Sequence, residues 1–187
     1  MRKTTKIMVA LGVVAGFGVA TLPLGSSHAL TPTDNGADDS ATVTLSAEVN
    51  MAYALAVNSS TVSIASVNPG DAVATATGTI TAAANGPYKV TAVASQNDGA
   101  MTTTNGEGSI PAATSEIAVE QGTSAWGIMG GDLTSYTGLG SLKTVKESTG
   151  PSGATGDEIE VTYGVSAGAN QKNGSYSATI TYTVAAP

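Results

Sequence analysis

The carboxylates are where this sequence could do chemistry. Asp157, Glu158 and Glu160 form the densest acidic group in the region that reads as folded. Two carboxyl groups flanking a glycosidic bond can hydrolyse it, one as acid and the other as base or nucleophile. The acid must sit in a desolvated setting that keeps its proton at neutral pH. Here Glu158 and Glu160 share one side of an alternating segment, opposite Ile159 and Val161. That spacing predicts a solvated face, so no catalytic residue is assigned. Asp34, Asp38 and Asp39 surround Gly36, as acidic residues do in calcium loops. The D-x-[DN]-x-[DN]-G spacing with its closing Glu is absent, and the group reads as an acidic linker. No cofactor and no metal site is assigned, although a sheet-edge ion at Asp132 or Asp157 stays open.

Other chemistries fall on composition. The 187 residues contain no Cys and one His, His28. Beyond residue 29 there are four Lys, no Arg and all fourteen acidic residues, a net charge of −10. This excludes thiol catalysis, zinc fingers and a Ser-His-Asp triad from that region. The acidic balance argues against nucleic-acid and anionic-lipid partners, which need clustered cations. Neither G-x-x-x-x-G-K-[ST] nor a strand-borne G-x-G-x-x-G is present. Trp126, within residues 122–131 (GTSAWGIMGG), is the most informative single residue. We read it as a core anchor whose neighbours are small for steric reasons, in preference to a surface aromatic. Ile128 continues its alternation.

The elements that position these residues follow a period of two. Residues 1–6 (MRKTTK) are basic, 7–22 are uncharged and apolar, and Ser27-His28-Ala29 places small residues before a cut at Leu30. This order is that of a secretory signal peptide. The apolar run is shorter than the roughly 20 residues a spanning helix needs, so cleavage near Ala29 is expected, with no integral anchor left. Residues 30–40 (LTPTDNGADDS) read as a flexible acidic arm. Residues 41–187 suit one domain.

Within it, residues 158–167 (EIEVTYGVSA) and 175–185 (SYSATITYTVA) alternate strictly. With GANQKNG between them, they predict an antiparallel hairpin. Residues 72–84 and 88–95 flank Asn85-Gly86-Pro87 and predict a second strand pair. Further strands are expected at 42–48, 51–57, 61–66 and 116–120, with exposed loops at 96–108 and 147–156. Thr occupies 24 positions beyond residue 29, and Thr favours strands. The expected fold is an all-β, antiparallel β-sandwich of roughly eight to nine strands.

Residues 176–187 (YSATITYTVAAP) resemble the C-terminal motif of WxL-type bacterial cell-surface domains. Tyr182-Thr183-Val184 stands where Trp-x-Leu would be, after Tyr176 and before Pro187, and Trp126-Gly127-Ile128 resembles an earlier Trp-x-Leu. Tyr182, Val184 and Ile128 depart from the motif but keep an apolar side chain. The resemblance implies an Ig-like/WxL-like sandwich bound non-covalently to peptidoglycan or another cell-surface polymer. More broadly, the chain is similar to secreted bacterial β-sandwich proteins. No apolar tail or sortase-type signal precedes Pro187, so the expectation is non-covalent association or release.

The expected function is therefore a non-enzymatic, secreted surface protein for wall association, adhesion or structural display. The alternatives are a self-associating, pilin-like or fibre subunit using strand addition, and a secreted wall- or glycan-acting enzyme. A Lys–Asn isopeptide staple is a further option, with Lys89 the amine to check.

Overall fold

The computed structural model describes residues 43–187. The expected leader (1–29) and acidic arm (30–40) lie outside the described residues. Every strand among the described residues falls in one compact unit, Ala47–Pro187.

Eleven strands form three sheets among the described residues. They are β1 (Tyr53–Val57), β2 (Ala74–Ala84), β3 (Tyr88–Ala94), β4 (Met101–Thr103), β5 (Ser109–Ile110), β6 (Ala125–Gly130), β7 (Leu133–Thr137), β8 (Lys143–Ser148), β9 (Asp157–Ser166), β10 (Tyr176–Ser177) and β11 (Ile180–Ala185). The five-stranded sheet runs β1-β2-β9-β6-β7, and two three-stranded sheets run β11-β3-β8 and β10-β4-β5. Every ladder is antiparallel; a single bridge, Ala112 to Trp126, is parallel. The only helical turn among the described residues is a 3-10 turn at Asn97–Gly99. The fold class is thus all-β and antiparallel. β10 and β11 lie within the expected strand 175–185, whereas β4 to β8 fall outside every expected strand, β4 and β5 being too short for alternation to register.

Period-two chemistry explains the long strands. In β2 (ATATGTITAAA) Thr75 and Thr77 are exposed, while Gly78, Ile80 and Ala82 are buried. β9 answers it with Ile159, Val161 and Val165 buried and Glu158 and Glu160 exposed. Their ladder runs from Ala74 opposite Val165 to Ala82 opposite Asp157. These apolar faces join Trp126 and Ile128 of β6, Tyr88, Val90 and Ala92 of β3, and Val145 of β8 in one core. The five-stranded sheet and the β11-β3-β8 sheet therefore bury side chains against each other. The opposite face of the five-stranded sheet is partly covered too. There Val119, Ala113 and Ala125 cluster with Tyr136 and Val73.

Several expected pairings are corrected. Residues 158–167 and 175–185 do not form a hairpin: both sides of β9 are taken, by β2 and β6. The C-terminal segment breaks at Ala178 and Thr179 into β10, which pairs with β4, and β11, which pairs with β3. The intervening GANQKNG carries the chain between sheets. Likewise Asn85-Gly86-Pro87 is a corner, because β2 and β3 lie in different sheets. The Asn85 side chain clamps that corner, accepting from the Ala52 amide and donating to the Asn50 carbonyl, both at 2.8 Å.

Three expected strands are absent. Residues 43–48 make no ladder, and Val43 and Leu45 are 90% and 93% exposed; Thr42 lies outside the described residues. Residues 116–120 form a turn-rich loop folded around the Thr114 hydroxyl, which accepts from the Glu116 and Ile117 amides. In residues 61–66, Val62 and Ile64 are half-buried as alternation requires, yet no neighbouring strand pairs with them. The expected loops are partly ordered: 96–108 contains β4, and 147–156 begins within β8.

Candidate functional site

A cavity of about 400 Å³ opens beside the edge where β1 and β11 meet. One wall is β9 and β6, through Tyr163, Val165 and Trp126. The second is the C-terminal segment, through Ala178, Thr179, Ile180 and Tyr182. Val57 at the end of β1 and Ser59, Ser60, Val62 and Ile64 of the strap that follows supply the third, and Met101 of β4 completes the lining.

Small residues make room for the aromatics. Tyr163 stands between Ala76 of β2 and Ile128 of β6 in the ladders. Gly78 lies diagonal to it, and a Cβ there would meet the Tyr163 ring at 3.4 Å and Val62 at 3.6 Å. Tyr182 stands opposite Ala92 of β3. The two phenol oxygens, one from each sheet, meet at 3.0 Å. Burial and the Tyr163 hydroxyl push the Tyr182 pKa well above the ordinary tyrosine value. The Tyr182 hydroxyl is therefore a neutral donor and acceptor across the physiological range. Trp126 is 3% exposed, and its indole N–H donates to the Gly99 carbonyl at 2.8 Å.

A second polar cluster lies apart from this cavity's lining. The Tyr88 ring is fully buried, and its hydroxyl donates to Asp157 Oδ2 at 2.5 Å. Burial first, and then Asp157, push the Tyr88 pKa up to about 12. The Gly153 amide and the Tyr88 hydroxyl hold Asp157 below the usual carboxylate range, against its own desolvation. Desolvation also opposes ionisation of Asp132. The Glu147 amide at 2.8 Å and the Lys146 ammonium at 3.0 Å outweigh it, so its pKa is lowered. Asp157 is thus engaged with Tyr88, while Glu158 and Glu160 point to solvent. Lys89 lies in β3 opposite Ala185 and Glu147.

The motif residues singled out in the sequence share one core. Trp126 and Ile128 are buried in it, and Tyr176, Tyr182 and Val184 pack half-buried against it. Only Trp126 and Tyr182 reach the cavity. Tyr176 is held elsewhere, its hydroxyl donating to the Lys172 carbonyl at 2.6 Å and accepting from Gln171 at 2.7 Å. Sequence reasoning placed Tyr163 on an apolar face without assigning it to a site, and missed the strap. Its alternation was visible; that it lines a cavity is a tertiary fact.

Chemically, the cavity presents apolar walls, aromatic rings and neutral hydroxyls. It fits a ligand with an apolar face and a few hydroxyl or amide groups. The strap's Ser59 is tied to its own backbone, donating to the Thr61 carbonyl at 2.6 Å. No family model, curated protein or solved structure matches the chain.

Proposed function

We propose that this chain is an exported, non-enzymatic cell-surface protein that makes non-covalent contact with a wall polymer. In this reading, residues 1–29 are removed and residues 41–187 act as one β-sandwich of the Ig-like or WxL-like kind. The shared core between two sheets supports the sandwich. The observation that carries the contact role is the open cavity bounded by Trp126, Tyr163 and Tyr182, with Ser59, Ser60 and Thr179 among its lining residues. Rings and neutral hydroxyls suit the mixed apolar and hydroxyl surface of a saccharide chain, and peptidoglycan is the polymer that the WxL resemblance implies. The carboxylate arrangement supports contact over hydrolysis, since Asp157 is bonded to Tyr88 and its neighbours Glu158 and Glu160 are exposed.

Fractionation of producing cells tests this reading. The protein is expected in the wall fraction, released by high concentrations of denaturant without peptidoglycan digestion. Recovery only from the cytoplasm or the membrane overturns it.

A further inference from the structure

Among the described residues the outer edge of β11 makes no ladder, and β1 comes near β11 without pairing with it. β11 ends the sheet β11-β3-β8, so only its β3 side is paired. Among the described residues, no main-chain hydrogen bond is made to its other side. Its sequence, ITYTVA, holds no charge and no Pro, and its ladder to β3 runs without a bulge. The opposite edge of the same sheet is guarded: β8 carries Lys143, Lys146 and Glu147, and its ladder to β3 has a register shift at Val90/Thr91. Charges and bulges are the devices that stop edge strands from recruiting other chains, and β11 has neither.

A matching strand exists in the same chain. In residues 43–49 (VTLSAEV), Val43, Leu45, Ala47 and Val49 alternate with Thr44, Ser46 and Glu48. This is strand patterning, yet the segment forms no ladder, and Val43, Leu45 and Val49 are 90%, 93% and 83% exposed. Three large apolar side chains exposed at alternate positions of one short segment are a feature of interaction surfaces.

We propose that residues 43–49 of one copy add as a strand to the free edge of β11 in a second copy. An antiparallel register sets Val43 beside Val184, Leu45 beside Tyr182 and Ala47 beside Ile180. The donor's apolar side then continues the inward face of β11 toward the cavity lined by Ile180 and Tyr182. Its polar side, Thr44 and Ser46, continues the exposed Thr183 and Thr181. Main-chain bonds supply affinity, and alternate side chains supply register. Donor and acceptor are different surfaces, so the contact is head-to-tail and builds rings or open fibres. The proposal goes beyond wall contact and stands without it.

Sedimentation of the protein as isolated from producing cells tests this, with Leu45→Asp as the variant. Leu45 is almost wholly exposed, so the change leaves the fold intact, as an unchanged near-ultraviolet signal from Trp126 verifies. The wild type is expected to grow in mass with concentration, and Leu45→Asp to remain a single chain. In Thr44→Cys/Thr183→Cys, mild oxidation is expected to give ladders of three or more chains, while each single-Cys variant stops at dimers. A single-chain mass at every concentration, an unchanged mass in Leu45→Asp, or no ladder above dimers overturns the proposal.

Discussion

The hydroxyl of Tyr163, in the centre of the five-stranded sheet, meets that of Tyr182, on the edge of the β11-β3-β8 sheet, at 3.0 Å. The bond spans the two sheets beside the cavity and fixes how far apart the walls stand. Phe at either position leaves the other hydroxyl without this partner, at a cost of about 1 kcal/mol. Phe at both positions is expected to cost less than the two single changes together, a coupling of about 0.5–1 kcal/mol. Urea unfolding of the four proteins measures it, and strict additivity would show that the pair contributes nothing as a pair.

Trp126 anchors the core and closes a main-chain group through Gly99. Trp126→Phe removes the indole donor and part of the packed volume. The expected loss is about 2–4 kcal/mol, from the unpaired carbonyl and the void together. Denaturant midpoints report it directly.

Gly127, between the two apolar motif residues Trp126 and Ile128, has a steric reason to be glycine. A Cβ there would stand 2.8 Å from the Thr137 carbonyl oxygen and 3.0 Å from its carbon. Gly127→Ala is expected to push β7 away from β6 at a cost of about 1–3 kcal/mol. A Tm equal to that of the wild type would contradict this contact.

Stability should fall at both ends of the pH scale, for different residues. Asp157 and Asp132 have folded pKa values below their unfolded ones. Their contribution is present above the unfolded carboxylate pKa and is lost as pH falls through the folded value. Tyr88 has a folded pKa raised to about 12, from 10.0. Its contribution is present below the unfolded value and fades as pH rises toward the folded one. Asp157→Asn is therefore expected to flatten part of the acid limb. Tyr88→Phe should flatten part of the alkaline limb, leaving the share due to Tyr182, whose pKa is also raised. Unfolding free energy measured against pH checks both signs.

Alternation made the faces legible, and partners were not. Ile159, Val161 and Val165 are buried, with Glu158 and Glu160 exposed, as their spacing demands. The same spacing says nothing about which strand sits alongside. Thus β9 pairs with β2 and β6, both distant in sequence, and β11 with β3. Turn chemistry misled for a related reason: Asn85-Gly86-Pro87 bends the chain equally well between sheets as within one. Residues 61–66 show a third limit. Val62 and Ile64 turn inward against the core region with no ladder, so burial alone can imprint a strand's period. At the site, the aromatic residues were readable as apolar-face residues. The cavity was not, because three chain segments far apart in sequence enclose it.

Binding to wall material is the sharpest check on wall contact. Ser60 is exposed and lines the cavity, so Ser60→Trp fills the opening without touching the core. Wild-type protein and Ser60→Trp, with matching Tm, are incubated with purified, protein-free bacterial wall and sedimented. Saturable retention of the wild type is expected, with at least a tenfold weaker retention of Ser60→Trp. Equal retention of the two, or none for either, would contradict it.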